Sequence, residues 1–224
     1  MNRLTTNARR VSVVFAVLLL AGCSKAAEDD DYAGLKSGEC KAGANAAWAA
    51  PAGSAFSLPS GVELVGDING NVVDAPCVTL SPIEYGGDLL PACLTFKNTG
   101  TSEVTVKLPA GLVFLAKDAA TQNGIILQDH DLVVPPGETK SFRLALYCLN
   151  EHCLFGEKTT LFTFGNVSND PLMIELVGLA RGRKMTSSAV GTASTFGAAI
   201  WDITGGKGLT AERKKQIADL ADGS

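Results

Sequence analysis

The sequence predicts a mainly β protein, an antiparallel Ig-like β-sandwich with a C-terminal helical segment packed against it. Three observations carry that expectation. Between Val62 and Phe164 apolar and polar residues alternate in short runs, the period of a half-buried strand. Gly- and Pro-containing turn signals divide these runs about every 8–12 residues, the rhythm of a sandwich. After Asp170 the apolar spacing changes to three and four, the period of a helix face. Frequent glycine (24 residues) and sparse aromatics (6%) also fit strands with many turns better than a helical bundle.

In order along the chain, Val62–Ile68 and Val72–Leu80 flank Asn69-Gly70, a pair suited to the positive φ angles of a tight hairpin. Leu94 and Phe96 alternate with Thr95 and Lys97 up to Asn98-Thr99-Gly100, and Val104, Val106 and Leu108 with Thr105 and Lys107 up to Pro109-Ala110-Gly111. Leu112–Leu115 is a short apolar run, and Ile125–Leu127 another after the turn-like Thr121-Gln122-Asn123-Gly124. Leu132–Val134 stops at Pro135-Pro136-Gly137. Phe142, Leu144, Leu146 and Cys148 share one strand face, with Ser141, Arg143 and Tyr147 on the other, and Leu161–Phe164 adds a further strand.

Asp170-Pro171 is an N-cap followed by proline in the first turn, so a helix is expected through about Ala180, ending near Gly182. Ala189, Ala193, Phe196, Ile200 and Ile203 fall on one face of a second helix, which Gly205-Gly206 stops. Thr210 can cap a third, with Ile217, Leu220 and Ala221 facing the protein. Leaving a stripe with Phe196 and Ile200 in water would be costly, so these helices should cover the sandwich.

The N-terminus has a different character. Arg3, Arg9 and Arg10 precede Val11–Leu20, an apolar run interrupted by Ser12 alone, which is a secretory pattern. The run is shorter than the roughly 20 residues that a permanent membrane span requires. Leu20-Ala21-Gly22-Cys23, directly after it, resembles the lipobox of bacterial lipoprotein precursors. The resemblance implies cleavage before Cys23 and acylation of its thiol, commonly with three fatty-acyl chains such as palmitate, and Ser24 in place of Asp implies export to the outer membrane. At about 0.8 kcal/mol per buried methylene, several chains anchor a protein stably where one does not. The expected organisation is a signal peptide (1–22), a lipidated flexible tether (23–60), a β-sandwich (61–168) and a helical segment of the same domain (169–224).

The tether, with Glu28-Asp29-Asp30-Asp31 and an Ala-, Gly- and Ser-rich stretch, cannot bury enough apolar surface to offset its ordering entropy. As a coil it would reach about 30–35 Å. Trp48, a large aromatic flanked by alanines, is available to dock on the domain or on a partner, or stands exposed in a short Ala-rich helix.

Net charge is -4 over the full sequence; without Arg3, Arg9 and Arg10, 16 basic residues face 23 acidic ones, or -7. That argues against nucleic acid as a partner and against electrostatic adhesion to anionic lipid. With Cys23 acylated, Cys40, Cys77, Cys93, Cys148 and Cys153 remain, an odd set in which Cys40 is the natural unpaired member. Outside the cytoplasm such residues form disulfides. Cys148 shares a face with Phe142 and Leu144, whereas Cys93 lies opposite Leu94 and Phe96, so a bridge between them is disfavoured and Cys77–Cys93 with Cys148–Cys153 is the expected pairing.

Chemical candidates are few. Cys148, His152 and Cys153 are dense enough to suggest zinc or copper, but a fourth ligand is missing and a short-loop disulfide explains the same residues. Asp67-Ile68-Asn69-Gly70-Asn71 begins like a calcium loop, yet Val78 stands where the bidentate Glu belongs. In Asp129-His130-Asp131 the carboxylates face away from the imidazole if the segment is a strand, and a surface loop is the expected setting. Gly205-Gly206-Lys207-Gly208 lacks the first glycine and the Ser/Thr of a phosphate loop.

Ala198-Ala199-Ile200-Trp201-Asp202-Ile203-Thr204 with the following Gly-Gly-Lys-Gly-Leu-Thr is similar, over a small part of the chain, to a segment of bacterial surface adhesins with thioester domains. The similarity implies a Cys–Gln side-chain bond. The Gln expected ahead of the segment is replaced by Thr195 and Phe196, and neither Gln122 nor Gln216 matches, so an amphipathic helix accounts for it. The functional expectation is therefore a lipid-anchored, non-catalytic binding or assembly module with no cofactor, a membrane contact through Cys23 and a protein or glycan partner. The alternative is an envelope hydrolase or metal-dependent enzyme using His152 or His130.

Overall fold

The computed structural model describes residues 50–70, 77, 80, 90–151, 153, 160–183, 185 and 190–220. Among these described residues ten strands and three helices follow in order: β1 Gly53–Ala55, β2 Val62–Leu64, β3 Ile68–Asn69, β4 Leu90–Asn98, β5 Val104–Leu108, β6 Leu112–Ala116, β7 Gly124–Ile125, β8 His130–Val134, β9 Thr139–Cys148, β10 Leu161–Ser168, α1 Pro171–Ala180, α2 Val190–Thr204 and α3 Ala211–Ala218.

The sheet is not a sandwich. Strands β10, β3, β4, β9, β7 and β6 pair in that order, and β6 pairs back onto β10, which closes a six-stranded antiparallel barrel. Strands β1 and β2 are additions on β10 and β4, and β5 and β8 form a separate two-stranded sheet. The closing seam runs Phe162↔Ala116, Thr163↔Leu115 and Phe164↔Phe114, then shifts register before Val167↔Leu112. Gly165 sits at that irregularity, where an added Cβ would stand 3.0 Å from Leu115 Cγ and 3.2 Å from the Val113 carbonyl oxygen. A residue without a side chain lets the two strands meet.

Strand alternation sorts the side chains into an inside and an outside. Leu94 and Phe96 from β4, Leu144 and Leu146 from β9, Leu112 and Phe114 from β6 and Phe162 from β10 fill the interior. The β5–β8 sheet adds Val106, Leu108, Leu132 and Val134 to the same core. Asn98 fastens it: its buried side-chain amide donates to the Val134 carbonyl at 3.0 Å and to that of Ser102 at 2.8 Å.

On the outside, Val113, Ile125 and Tyr147 stand in register across β6, β7 and β9 and form the floor for the helices. Met173 and Leu176 of α1, Phe196 and Ile200 of α2 and Ile217 of α3 pack on it, with Phe196 edge-on to Tyr147 at 6.4 Å. The helix signals have the expected forms. Asp170 accepts from the backbone N–H groups of Leu172 and Met173, Thr210 from that of Arg213, and Gly182 takes φ 73° just past α1.

Other expectations are corrected. Asn69-Gly70 is not a hairpin turn: Asn69 pairs with both Leu161 and Cys93, and Gly70 donates to the Thr160 carbonyl at 2.8 Å. The partner strand expected for that hairpin lies mostly outside the described residues. The turn-like Thr121-Gln122-Asn123 is buried. Gly53–Ala55, in the stretch read as tether, is a strand against Ser168–Asn166.

Because Phe196 is fully buried between the barrel wall and its own helix layer, Phe196→Ala is expected to cost about 3–5 kcal/mol. A thermal melt checks it; an unchanged midpoint would mean that α2 does not pack on the wall.

Candidate functional site

Three places combine shape or chemistry in ways worth building up. The first is a cleft of about 310 Å³ at the root of β1, where Pro51 and Phe56 face Leu115, Phe164 and Gly165. Phe56 lies 4.7 Å from Phe164, ring centre to ring centre, and Asn166 donates its side-chain amide to the Pro51 carbonyl at 3.2 Å. No ionisable side chain among the described residues lines it. Its described lining is apolar apart from Asn166, the kind of surface that suits an apolar side chain or a sugar face.

The second is the corner where β9 ends beneath the C-terminal turn of α2. Asn123 is pinned there: its side-chain oxygen accepts from the Ala116 N–H, its own N–H donates to Asn150 Oδ1, and its carbonyl accepts from the Leu149 N–H, each at 2.9 Å. Gln122 donates to the Cys153 carbonyl at 3.3 Å. Glu151 Oε2 reaches to 3.6 Å from where a Cβ on Gly205 would stand, which ties the corner to the end of α2. Around it Gln122 Oε1, Asn150 Nδ2, Trp201 Nε1 and Thr204 Oγ1 are buried with no hydrogen-bond partner among the described residues. Nothing in the sequence signals that these residues meet: Gln122 falls in a turn-like run, Trp201 and Thr204 in the adhesin-like segment and Cys153 in the cysteine cluster, each read separately.

The third is the set of sequence candidates themselves. Cys77 and Cys93 form a disulfide with a Cα–Cα distance of 5.7 Å, on the outer face of β4 beside Leu80. The parity of Cys93 against Leu94 and Phe96 was the signal for it. Cys148 lies in the barrel interior, and Cys148 and Cys153 are each disulfide-bonded, which is as far as the expected link between them can be followed among the described residues. Oxidised sulfurs are not thiolate ligands. His152, Cys23 and Cys40 lie outside the described residues.

The Asp129-His130-Asp131 trio is dispersed. His130 begins strand β8, buried on the side of Leu132 and Val134, so the expected surface loop is corrected to a strand. Asp129 accepts from the Ala110 N–H at 2.8 Å, and exposed Asp131 lies 3.8 Å from Lys107. Asp67, the first residue of the calcium-like stretch, is paired with Lys117 at 2.6 Å. The Gly205–Gly208 stretch is the turn between α2 and α3, with the N–H groups of Lys207 and Gly208 both on the Asp202 carbonyl. Asp202 in turn holds Arg213 at 2.9 Å. Among the described residues no group of three or more His, Cys, Asp or Glu side chains is placed to share a metal ion.

No family model, curated protein or solved structure matches the chain.

The corner beneath α2 yields a stability test. A buried hydroxyl without a partner costs about 1–3 kcal/mol, so Thr204→Val is expected to keep the midpoint or raise it, by roughly 2–4 °C per kcal/mol in a chain of this size. A fall in the melting midpoint would show that Thr204 Oγ1 is held by a bond, such as one to an ordered water.

Proposed function

We propose that the protein is an exported, lipid-tethered module of the cell envelope that binds or assembles with a protein or glycan partner and performs no catalysis. The observation that carries the reading is the Cys77–Cys93 disulfide, buried against Leu80 on the barrel wall. Stable disulfides belong to oxidising compartments, and the Leu20-Ala21-Gly22-Cys23 sequence supplies both a route out of the cytoplasm and an anchor. The seat would be the outer membrane, following Ser24.

The placement of the polar groups supports the non-catalytic half. Asp67, Asp129, Asp131 and Asp202 are each held by a cation or a backbone N–H in the fabric of the fold. His130, the described candidate for acid–base work, is buried on a strand with its neighbouring carboxylates turned to other partners. The cleft at the root of β1, open and without ionisable groups, suits recognition.

Mass spectrometry of the N-terminal peptide from the native protein tests the tether. The expected result is a chain that begins at Cys23 and carries the mass of a diacylglyceryl group and an amide-linked acyl chain. A Cys23 recovered as a thiol or in a disulfide would overturn the reading.

A further inference from the structure

Two strands lie outside the closed barrel, and one of them keeps an open edge. Strand β5 pairs with β8 in a sheet of two, from Val104↔Val134 at one end to Leu108↔His130 at the other. The residues just beyond those ends, Pro135 and Pro109, have no N–H. Bonds from the next residue along therefore cannot bracket the end pairs, and Val104↔Val134 and Leu108↔His130 each exchange both bonds themselves. In an antiparallel ladder such residues alternate with ones whose N–H and C=O groups point away from the partner. On β8 the Val133 carbonyl follows this alternation and accepts from Lys140 Nζ at 3.0 Å.

On β5 the same alternation directs the backbone groups of Thr105 and Lys107 away from β8. No strand lies along that edge among the described residues. Val106 and Leu108, of the other parity, are held in the core, whereas the Lys107 side chain is 77% exposed and Glu103, just before the strand, is exposed as well. An open edge of this kind takes up another strand. A lysine on it ordinarily discourages one, but here the sequence carries its own counterpart. When two copies of β5 run antiparallel with Thr105 opposite Thr105, Glu103 of each stands opposite Lys107 of the other. All three residues share the outward parity, so one register pairs both the charges and the free backbone groups. Centring on Glu103 or on Lys107 instead sets like charges face to face, which is destabilising. Asp131 lies 3.8 Å from Lys107 on the β8 side, so in the register centred on Thr105 each Lys107 stands between two carboxylates.

We propose that the open edge of β5 is a self-association site. A second copy of the chain adds its own β5 antiparallel about Thr105, with a Glu103–Lys107 pair on either side, and the two ribbons join in one four-stranded sheet. The contact is two-fold symmetric, so each copy covers the other's edge and growth stops at two. One strand per copy makes a small interface, and the dimer is weak and reversible. It needs neither the tether nor another partner, and so goes beyond the binding role above.

Sedimentation velocity of the full chain in mild detergent, from about 10 μM to about 1 mM, tests this. The expected result is a monomer–dimer equilibrium that weakens about tenfold in Glu103→Lys and in Lys107→Glu, since either substitution sets two like-charge pairs across the contact. A 1:1 mixture of the two variants is expected to regain the original strength, because each substituted side chain then faces its opposite. Amide exchange read by NMR should slow at Thr105 and Lys107 as concentration rises, and stay unchanged at Val106, which is already bonded to β8. The absence of a dimer up to about 1 mM, or a dimer indifferent to both variants, would overturn the proposal. Slow exchange at Thr105 and Lys107 at every concentration would mean that the chain covers this edge itself, and would overturn it too.

Discussion

Strand β10 is hydrogen-bonded along both of its edges, and the rest of the architecture depends on that. On one side it meets β6, on the other β3 and then β1. Barrel closure removes the free edges that a sheet of this size would otherwise present to other chains. The strand also leads into Asp170 and α1 without a loop, so the closing seam fixes where the helix layer begins. The same strand holds β1, which among the described residues pairs with β10 alone.

The interior and the outer wall are two products of one alternation. Residues of β9 illustrate it: Leu144, Leu146 and Cys148 point into the barrel, while Tyr147 points out beneath the helices. Gly124 shows how tight the wall is, since a Cβ there would stand 2.5 Å from Leu146 Cδ1. A barrel filled by its own side chains has no lumen for a ligand. On the surface of the described residues, the apolar cleft at Phe56 and Phe164 lies beside Ala50 and Pro51.

Much of this was legible in the residues. Strand β5 has the expected bounds, and Asp170, Thr210 and Gly182 act as the caps and stop that their types indicate. The Cys77–Cys93 link followed from side-chain parity. The error in fold class has a physical origin. Period-two alternation is the same for a sandwich and for a barrel, and only the pairing of distant edges separates them. That pairing depends on Leu112–Ala116 meeting Leu161–Ser168, on the two-residue strands β3 and β7, and on Gly165 at the register shift. Strands of two residues show no period. Asn69-Gly70 carried a strong local turn signal that the pairing of Asn69 with both neighbours overrode. The corner of Gln122, Asn150 and Thr204 was equally hidden, because its members are far apart in sequence and polar for no local reason.

Amide hydrogen exchange along β6 in the intact protein tests closure most directly. The Ala116 N–H points to Asn123 on the β7 side, whereas the Lys117 N–H points across the seam to the Leu161 carbonyl. A closed barrel predicts that Leu115, Ala116 and Lys117 all exchange slowly, since successive amides face opposite paired edges. Slow exchange at Ala116 with surface-like rates at Leu115 and Lys117 is the alternating pattern of an edge strand, and it would contradict the barrel.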